Sequence, residues 1–265
     1  MKSLIKFLVL NNTKIINFVT IKLFKIGLIP EDYKGKAKSL YFKEKFHTEF
    51  SKSKLKYDDK GFYYLNPMPS TNFLNEYYEK TYWQSRNDLN YPVKSRDIDH
   101  FKMISNFYTD FNSSKKKILN FGSGHGGVSY LFHAANHSVF NYDFRPTNKK
   151  PFAERWKNIE TLGNLNLKFD LIYGSHSLEH VNNLENTFEL FKNVSHEKTI
   201  YFFEVPNCLN INKIYPPHTY YFTREFFVKK FINIDFCKTF LGSKEMSEDQ
   251  GDVIRFHSRS NTNSL

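Results

Sequence analysis

Two cysteines in 265 residues, Cys208 and Cys237, exclude a disulfide framework. They form no C-x-x-C pair and stand near no histidine at ligand spacing, so no metal site is expected. A reducing, cytoplasmic setting follows most simply from that usage. Long apolar runs are also missing. The N-terminal stretch MKSLIKFLVLNNTKIINFVTIKLFKIGLIP is broken by Lys6, Lys14, Lys22 and Lys25. Its longest uninterrupted run, Phe7 to Leu10, is too short for a signal peptide or a membrane span. It reads as an amphipathic helix that packs on the body of the protein, with a membrane surface (residues 1–30) or a second subunit as alternatives. No arginine-rich tract and no internal repeat is present. The net charge of +11 comes from scattered lysines and reads as a generally basic surface.

What the chain has is aromatic mass. Phe (28) and Tyr (17) supply much of its apolar content, which is enough for a large core. Residues 1–94 read as a basic, helical extension and cap. Ser70-Thr71 can cap a helix running through Phe73, Leu74, Tyr77 and Tyr78. Residues 95–258 form a second unit, opened by a helix over 95–111 whose apolar positions repeat at helical spacing. Strands and helices then alternate. Lys117–Phe121, Ser138–Asp143, NIETL (158–162), Lys168–Ser175 and Lys198–Asn207 read as strands. Segments beginning at Gly127, Leu184 and Arg224 read as helices. This order predicts a doubly wound, mostly parallel α/β sheet. NIDFCKTFL and GDVIRFHS are joined without a helix, so they are expected to pair as an antiparallel hairpin. Residues 259–265 read as a tail.

Glycine is scarce, at 11 residues, yet four of these fall within GSGHGG (122–127), between the first strand and its helix. Such a loop brings bare backbone against a ligand, and the helix start behind it favours negative charge. Asp143 lies 21 residues beyond Gly122, at the end of the second strand. A carboxylate there suits the two hydroxyls of a ribose. Gly122, Gly124 and Gly127 satisfy G-x-G-x-x-G, the dinucleotide pattern. Gly122, Gly124 and Gly126 satisfy G-x-G-x-G, which suits a mononucleoside cofactor such as S-adenosylmethionine. The loop leaves both open.

ILNFGSGHGG, NYDFRP, FDLIYGSHSLEHVNN, YFFEVPN and PHTYYFTREFF follow one another in this order. Over about residues 95–257 the series resembles the class I S-adenosylmethionine-dependent methyltransferases of the bacterial small-molecule type, type 11/23-like. The resemblance implies a Rossmann-like, seven-stranded sheet with an antiparallel last strand. It also implies that Gly122, Ser123, Gly124 and Gly126 hold the methionine end of the cofactor. Asp143 would hold the ribose and Phe144 would cover the adenine. Glu160, Thr161 and Leu162 would lie at the adenine edge, and Ser175 and His176 would line the cleft below the sulfonium. Asn120 stands where the family usually carries an acid, which removes a charge from the cofactor site.

Methyl transfer to oxygen or nitrogen also calls for a proton acceptor, and histidine titrates in the useful range. His176, just past the fourth strand, is the first candidate, followed by His218 and by His180, which can also brace its turn with Glu179. Arg96 could reach the cofactor carboxylate or lie exposed at its helix start. A small polar acceptor is expected: a sugar, a sugar nucleotide or another capsule precursor. The alternatives are methylation of RNA or DNA, an NAD-linked oxidoreductase, and a cofactor-binding scaffold without catalysis. DNA amino-methylation is disfavoured because GSHS (174–177) stands where such enzymes carry Asp/Asn-Pro-Pro-aromatic.

Overall fold

A computed structural model describes residues 48–82, 93–143, 155–156, 166–210, 217–231, 233–247 and 249–259. The main sheet is built on β3 (Lys117–Phe121), β4 (Ser138–Tyr142), β6 (Phe169–Ser175) and β7 (Ser195–Pro206), all parallel. Beyond β4 lies β5 (Arg155–Trp156), also parallel. β11 (Val253–Arg259) pairs antiparallel with both β7 and β9 (Phe236–Leu241), and a short β10 (Lys244–Met246) closes the edge. The strand order is β10-β9-β11-β7-β6-β3-β4-β5.

Each central strand is apolar on both faces, which is what a parallel sheet covered on both sides requires. Alternate residues divide cleanly between the two cores. Ile118, Leu171, Tyr173, Ile200 and Phe202 face one cluster with Ile104 of α3 (Ser95–Phe107), Tyr108 just after that helix, and Val128 and Phe132 of α4 (Gly127–Ala134). Leu119, Phe121, Ile172, Tyr201, Phe203 and Val205 face the other, with Phe188 and Phe191 of α5 (Leu184–Asn193) and Phe226 and Phe227 of α6 (Arg224–Lys230). The chain therefore folds as the doubly wound α/β sheet that its alternating pattern predicts, and the terminal hairpin pairs antiparallel as expected.

Four features depart from the sequence reading. Residues 54–66, expected within a helical extension, form a hairpin of β1 (Lys54–Asp58) and β2 (Phe62–Asn66). Leu55 and Tyr57 alternate with Lys54, Lys56 and Asp58, the run Phe62–Leu65 is aromatic and apolar, both are strand signals, and Gly61 turns the chain between them at φ +96°. The segment TYYF, read as loop, supplies β8 (Tyr220–Phe222), which pairs with β2 to make a separate three-stranded sheet. β10, within what reads as a polar loop, adds a three-residue edge strand to the seven expected. The helix capped by Ser70 is regular only as α2 (Thr71–Glu76), continuing as a π-helical turn over Tyr77–Tyr82. The start of that helix is as expected: Ser70 Oγ accepts from the Phe73 N–H. Of the third strand, Arg155–Trp156 is described, and residues 158–162 lie outside the described residues. Among the described residues no helix is long and apolar enough to cross a membrane.

Candidate active site

Every described residue expected at the site falls at or beside the C-terminal edge of the parallel strands, where ligands bind in open α/β sheets. The loop after β3 is tied to the next strand. Gly122 and Ser123 both donate to the Tyr142 carbonyl, at 2.8 and 3.0 Å, and Gly124 N–H donates to Asp143 Oδ2 at 2.6 Å. Gly122 (φ +73°) has a second reason to be glycine: a Cβ there would lie 2.3 Å from the Ser177 Cβ. Gly124 and Gly126 also adopt positive φ. Gly127 opens α4 with its backbone against the Asp97 carboxylate, 2.2 Å from where a Cβ would stand.

Asn120 is 1% exposed, and its amide is held in a directional chain. Its Nδ2–H donates to Ser129 Oγ (2.6 Å), whose hydroxyl donates to Asn141 Oδ1 (2.7 Å). Among the described residues, Asn120 Oδ1, Ser123 Oγ and Ser177 Oγ are buried without a hydrogen-bond partner. Three such groups around one glycine loop fit a polar ligand that completes them. The cofactor implied by the resemblance carries an ammonium and a carboxylate at its methionine end, so the residues present fit it. The charge absent at Asn120 is offset nearby, since the carboxylates of Asp97 and Asp143 both lie at the loop. Phe144, Glu160, Thr161 and Leu162 lie outside the described residues.

Ser177 joins the cradle to a second group of side chains. His176 follows β6 with φ +52°, a left-handed conformation unusual for a residue with a side chain, and its N–H is held by the Glu204 carbonyl at 2.8 Å. Its ring lies between two buried carboxylates, 3.2 Å from Glu179 Oε1 and 3.3 Å from Glu204 Oε1. Burial favours the neutral ring, but Glu179 and Glu204 outweigh it and raise His176 to about 9. Burial likewise opposes the Glu179 charge, yet its bond to His176 and the neighbouring imidazoles hold it at about 2. The pair is thus ionised at neutral pH. His218 is brought in because Thr219 N–H and hydroxyl both bond the Glu179 carbonyl, at 2.7 and 3.0 Å. Its Nε2 is 4.0 Å from Glu179 Oε1. Burial, then the charge of neighbouring His180, keeps His218 neutral, down to about 3. The His180 ring packs edge-on against His218, 4.7 Å between centroids. Instead of bracing its turn through Glu179, His180 turns its Nδ1 to the Tyr78 hydroxyl (2.7 Å) and the Pro217 carbonyl (3.2 Å). His176 and His218 thus face one carboxylate, Glu179, which is 1% exposed, and His180 packs beside His218.

A further network lies beneath His176. Strand register sets Glu204 opposite Ser175 of β6 and Arg255 of β11. The Arg255 Nε–H donates to Glu204 Oε2 at 2.7 Å, and His100 Nε2 is 2.8 Å from the same oxygen. His100 in turn meets the Tyr173 hydroxyl at 2.7 Å. Ser175 Oγ donates to Glu204 Oε1 (3.3 Å), and Arg96 Nη1 stands 3.8 Å from that oxygen, so Arg96 reaches inward from its helix start. The basic partners hold Glu204 far below the carboxylate range despite its burial. Glu204, His100 and Arg255 were missed from sequence. The available signal was a lone acid inside the apolar run YFFEVP and a lone arginine inside VIRF.

Strand order, glycine loop and the carboxylate closing β4 define the class I methyltransferase fold, whose cofactor is S-adenosylmethionine. A family model described as a methyltransferase domain matches residues 99–231, half of the chain, and the chain belongs to that family. This membership displaces the oxidoreductase reading. No curated protein matches the sequence. Solved structures with similar folds include an S-adenosylmethionine-dependent methyltransferase from Archaeoglobus fulgidus (15% identity, 72% of this chain and 100% of that one, TM-score 0.47). Magnesium protoporphyrin IX methyltransferase from Synechocystis, solved with S-adenosylhomocysteine, is another (12%, 72% and 100%, 0.48). TehB from Haemophilus influenzae is a third (14%, 71% and 67%, 0.43).

Proposed function

We propose that this chain transfers a methyl group from S-adenosylmethionine to a hydroxyl of a small polar acceptor of the sugar, sugar-nucleotide or surface-polysaccharide-precursor class. The observation that carries this reading is the polar cluster of His176, Glu179, His180 and His218, set against the cofactor loop through Ser177. A cluster built from buried carboxylates and imidazoles suits a neutral hydroxyl, which must lose a proton as it is methylated. When bound, S-adenosylmethionine supplies an electrophilic methyl group on a positively charged sulfur.

The protein's part is alignment and proton management. Ser123, Gly124 and Gly126 with Asp143 would hold the nucleoside and its amino-acid end and align the methyl group for transfer. His176, protonated between Glu179 and Glu204, is a donor able to orient the acceptor. His218, kept neutral by burial, has a ring nitrogen with a lone pair to receive the hydroxyl proton. With S-adenosylmethionine bound, the hydroxyl proton would pass to His218 as the acceptor oxygen takes the methyl group from sulfur, and neutral S-adenosylhomocysteine would be released. This reading moves the proton acceptor from His176 to His218. It sets the reaction in the cytoplasm, in keeping with the two free cysteines.

The test is transfer of a labelled methyl group from S-adenosylmethionine to a panel of sugars and sugar nucleotides, run beside RNA and DNA. Label in an alkali-stable ether of a small acceptor supports the reading. Label in nucleic acid alone contradicts it. His218→Ala should reduce turnover by about 10²–10⁴-fold, the usual contribution of a positioned base, with binding of S-adenosylhomocysteine unchanged.

A further inference from the structure

We infer that Glu204 is a positioning residue for methyl transfer, which from inside the sheet fixes the place and orientation of the His176 ring. Glu204 is 1% exposed, and its two oxygens have different duties. Oε2 faces inward, to Arg255 Nε at 2.7 Å and His100 Nε2 at 2.8 Å. Oε1 faces the site, to His176 Nε2 and Ser175 Oγ, both at 3.3 Å, and to Arg96 Nη1 at 3.8 Å. One oxygen is anchored and the other is presented. A carboxylate placed only to neutralise Arg255 needs no such outward face.

The main chain adds a second hold. The Glu204 carbonyl accepts from the His176 N–H at 2.8 Å, so one residue grips both the backbone and the ring. That grip matters because His176 sits at φ +52°, a conformation that persists only where the surroundings enforce it. The anchor is itself ordered. Burial pushes His100 below its ordinary value, so its ring is neutral at neutral pH. The Glu204 carboxylate can only accept, so His100 Nε2 carries the proton and Nδ1 accepts from the Tyr173 hydroxyl at 2.7 Å. Donation therefore runs one way, from Tyr173 to His100 to Glu204, with Arg255 beside them. His176, with 31% of its side chain exposed, is where this buried network reaches the surface of the site.

The ionisable groups that face His176 are Glu179 of its own turn, Glu204 of β7, and His218 with His180 packed on it. Arg96 and His100 of α3 and Arg255 of β11 stand behind Glu204. The two carboxylates prevail over burial, and the ring stays protonated up to about 9. A charged ring cannot take up the acceptor's proton. Its part is a fixed positive charge toward an oxygen on which negative charge develops.

This role rests on the proposed function only for the place of the acceptor, and the two can fail separately. Full-length protein with ¹⁵N-labelled histidine is titrated by NMR, and His176→Gln identifies the His176 signal. The wild-type ring should hold both protons through neutral pH. In Glu204→Gln its titration should fall by about 1–3 pH units, the usual effect of losing an adjacent opposite charge. Calorimetry with S-adenosylhomocysteine should show unchanged affinity. Should Glu204→Gln not fold, the double variant Glu204→Gln/Arg255→Met removes both buried charges and serves in its place. Where the labelled methyl group reaches a small acceptor, the variant should lower kcat by about 10²-fold, as misplacement of a reacting group does. A wild-type ring that is neutral at pH 7, a titration unmoved in the folded variant, or an unchanged kcat would overturn the inference. A shifted titration in a protein that binds no S-adenosylhomocysteine would uphold the grip of Glu204 on His176 and refute the methyltransferase reading.

Discussion

The residue that best separates a working cofactor loop from a mere turn is Gly122. Its φ of +73° and the Ser177 Cβ 2.3 Å from any added carbon make the position intolerant of a side chain. The left-handed backbone alone costs a non-glycine residue about 1–2 kcal/mol. Gly122→Ala should therefore weaken S-adenosylhomocysteine binding by at least about tenfold in a calorimetric titration. Unchanged affinity would mean that the loop does not hold the nucleoside. Asn120 makes a sharper case. Its amide donates into Ser129, and Ser129 donates on to Asn141, so the chain of bonds runs one way. An aspartate cannot donate. Asn120→Asp should lower the stability of the ligand-free protein by about 1–3 kcal/mol in denaturant unfolding, even though it restores the acid the family usually has. Increased stability would show that the amide chain is dispensable. From sequence Asn120 is a missing charge. In the fold it is a donor in a network, and the carboxylates stand at Asp97 and Asp143 instead.

At the scale of elements, the strands carry both the core and the chemistry. Register places Glu204 between Ser175 and Arg255, and α3 lowers His100 onto it. Leaving the Arg255 charge buried without its partner should cost about 3–5 kcal/mol, so Glu204→Gln is expected to lose that much in urea unfolding. A second element-level consequence concerns β11 and α3. His257 is 1% exposed, stacked on Phe236 (4.8 Å) and Phe202, with Nδ1 3.0 Å from the Tyr108 hydroxyl and Nε2 without a hydrogen-bond partner among the described residues. Burial pushes the ring down to about 4, against the pull of Asp235. Below its ordinary value of 6.5 the unfolded chain takes up a proton that the folded ring refuses. Stability should then be full above pH 6.5 and fall as the pH drops from 6.5 toward 4, by up to about 1.4 kcal/mol per pH unit for this one proton. His257→Phe should flatten that part of the profile, and an unaltered slope would assign it to other groups. The alternating apolar pattern made the parallel sheet, its helices and the terminal antiparallel hairpin legible, because burial on both faces leaves a strong periodic signal. The Glu204 network was not legible. It depends on register between β6, β7 and β11, and neither spacing nor composition records which residues of distant strands stand side by side.

We propose that the molecule as a whole is not divided where its sequence composition changes. A boundary near residue 94 was expected from the basic, helical character of what precedes it. Instead β2 pairs with β8, Thr223 donates to the Gly61 carbonyl, and Phe62 of the hairpin belongs to the main core beside Phe222 and Phe226. Tyr78 reaches His180 from the same N-terminal portion. We propose that residues 48–82 and the methyltransferase sheet unfold together. Phe62→Ala should lower stability by about 3–5 kcal/mol with one transition retained. A separate early transition would restore the boundary. The glycine loop, the acid and the three histidines proposed for the site are all local motifs in the sequence. That His218 stands against Glu179 comes from the bonds of Thr219 to the 3-10 turn, a long-range closure that short motifs do not encode.

The central claim is that this sheet presents a bare-backbone cradle to S-adenosylmethionine. The most direct measurement is calorimetric titration of the full-length protein with S-adenosylhomocysteine and, separately, with NAD⁺. Saturable binding of one equivalent of S-adenosylhomocysteine, weakened in Gly122→Ala, with no comparable heat from NAD⁺, is the predicted result. Binding of NAD⁺ alone, or of neither, would contradict it.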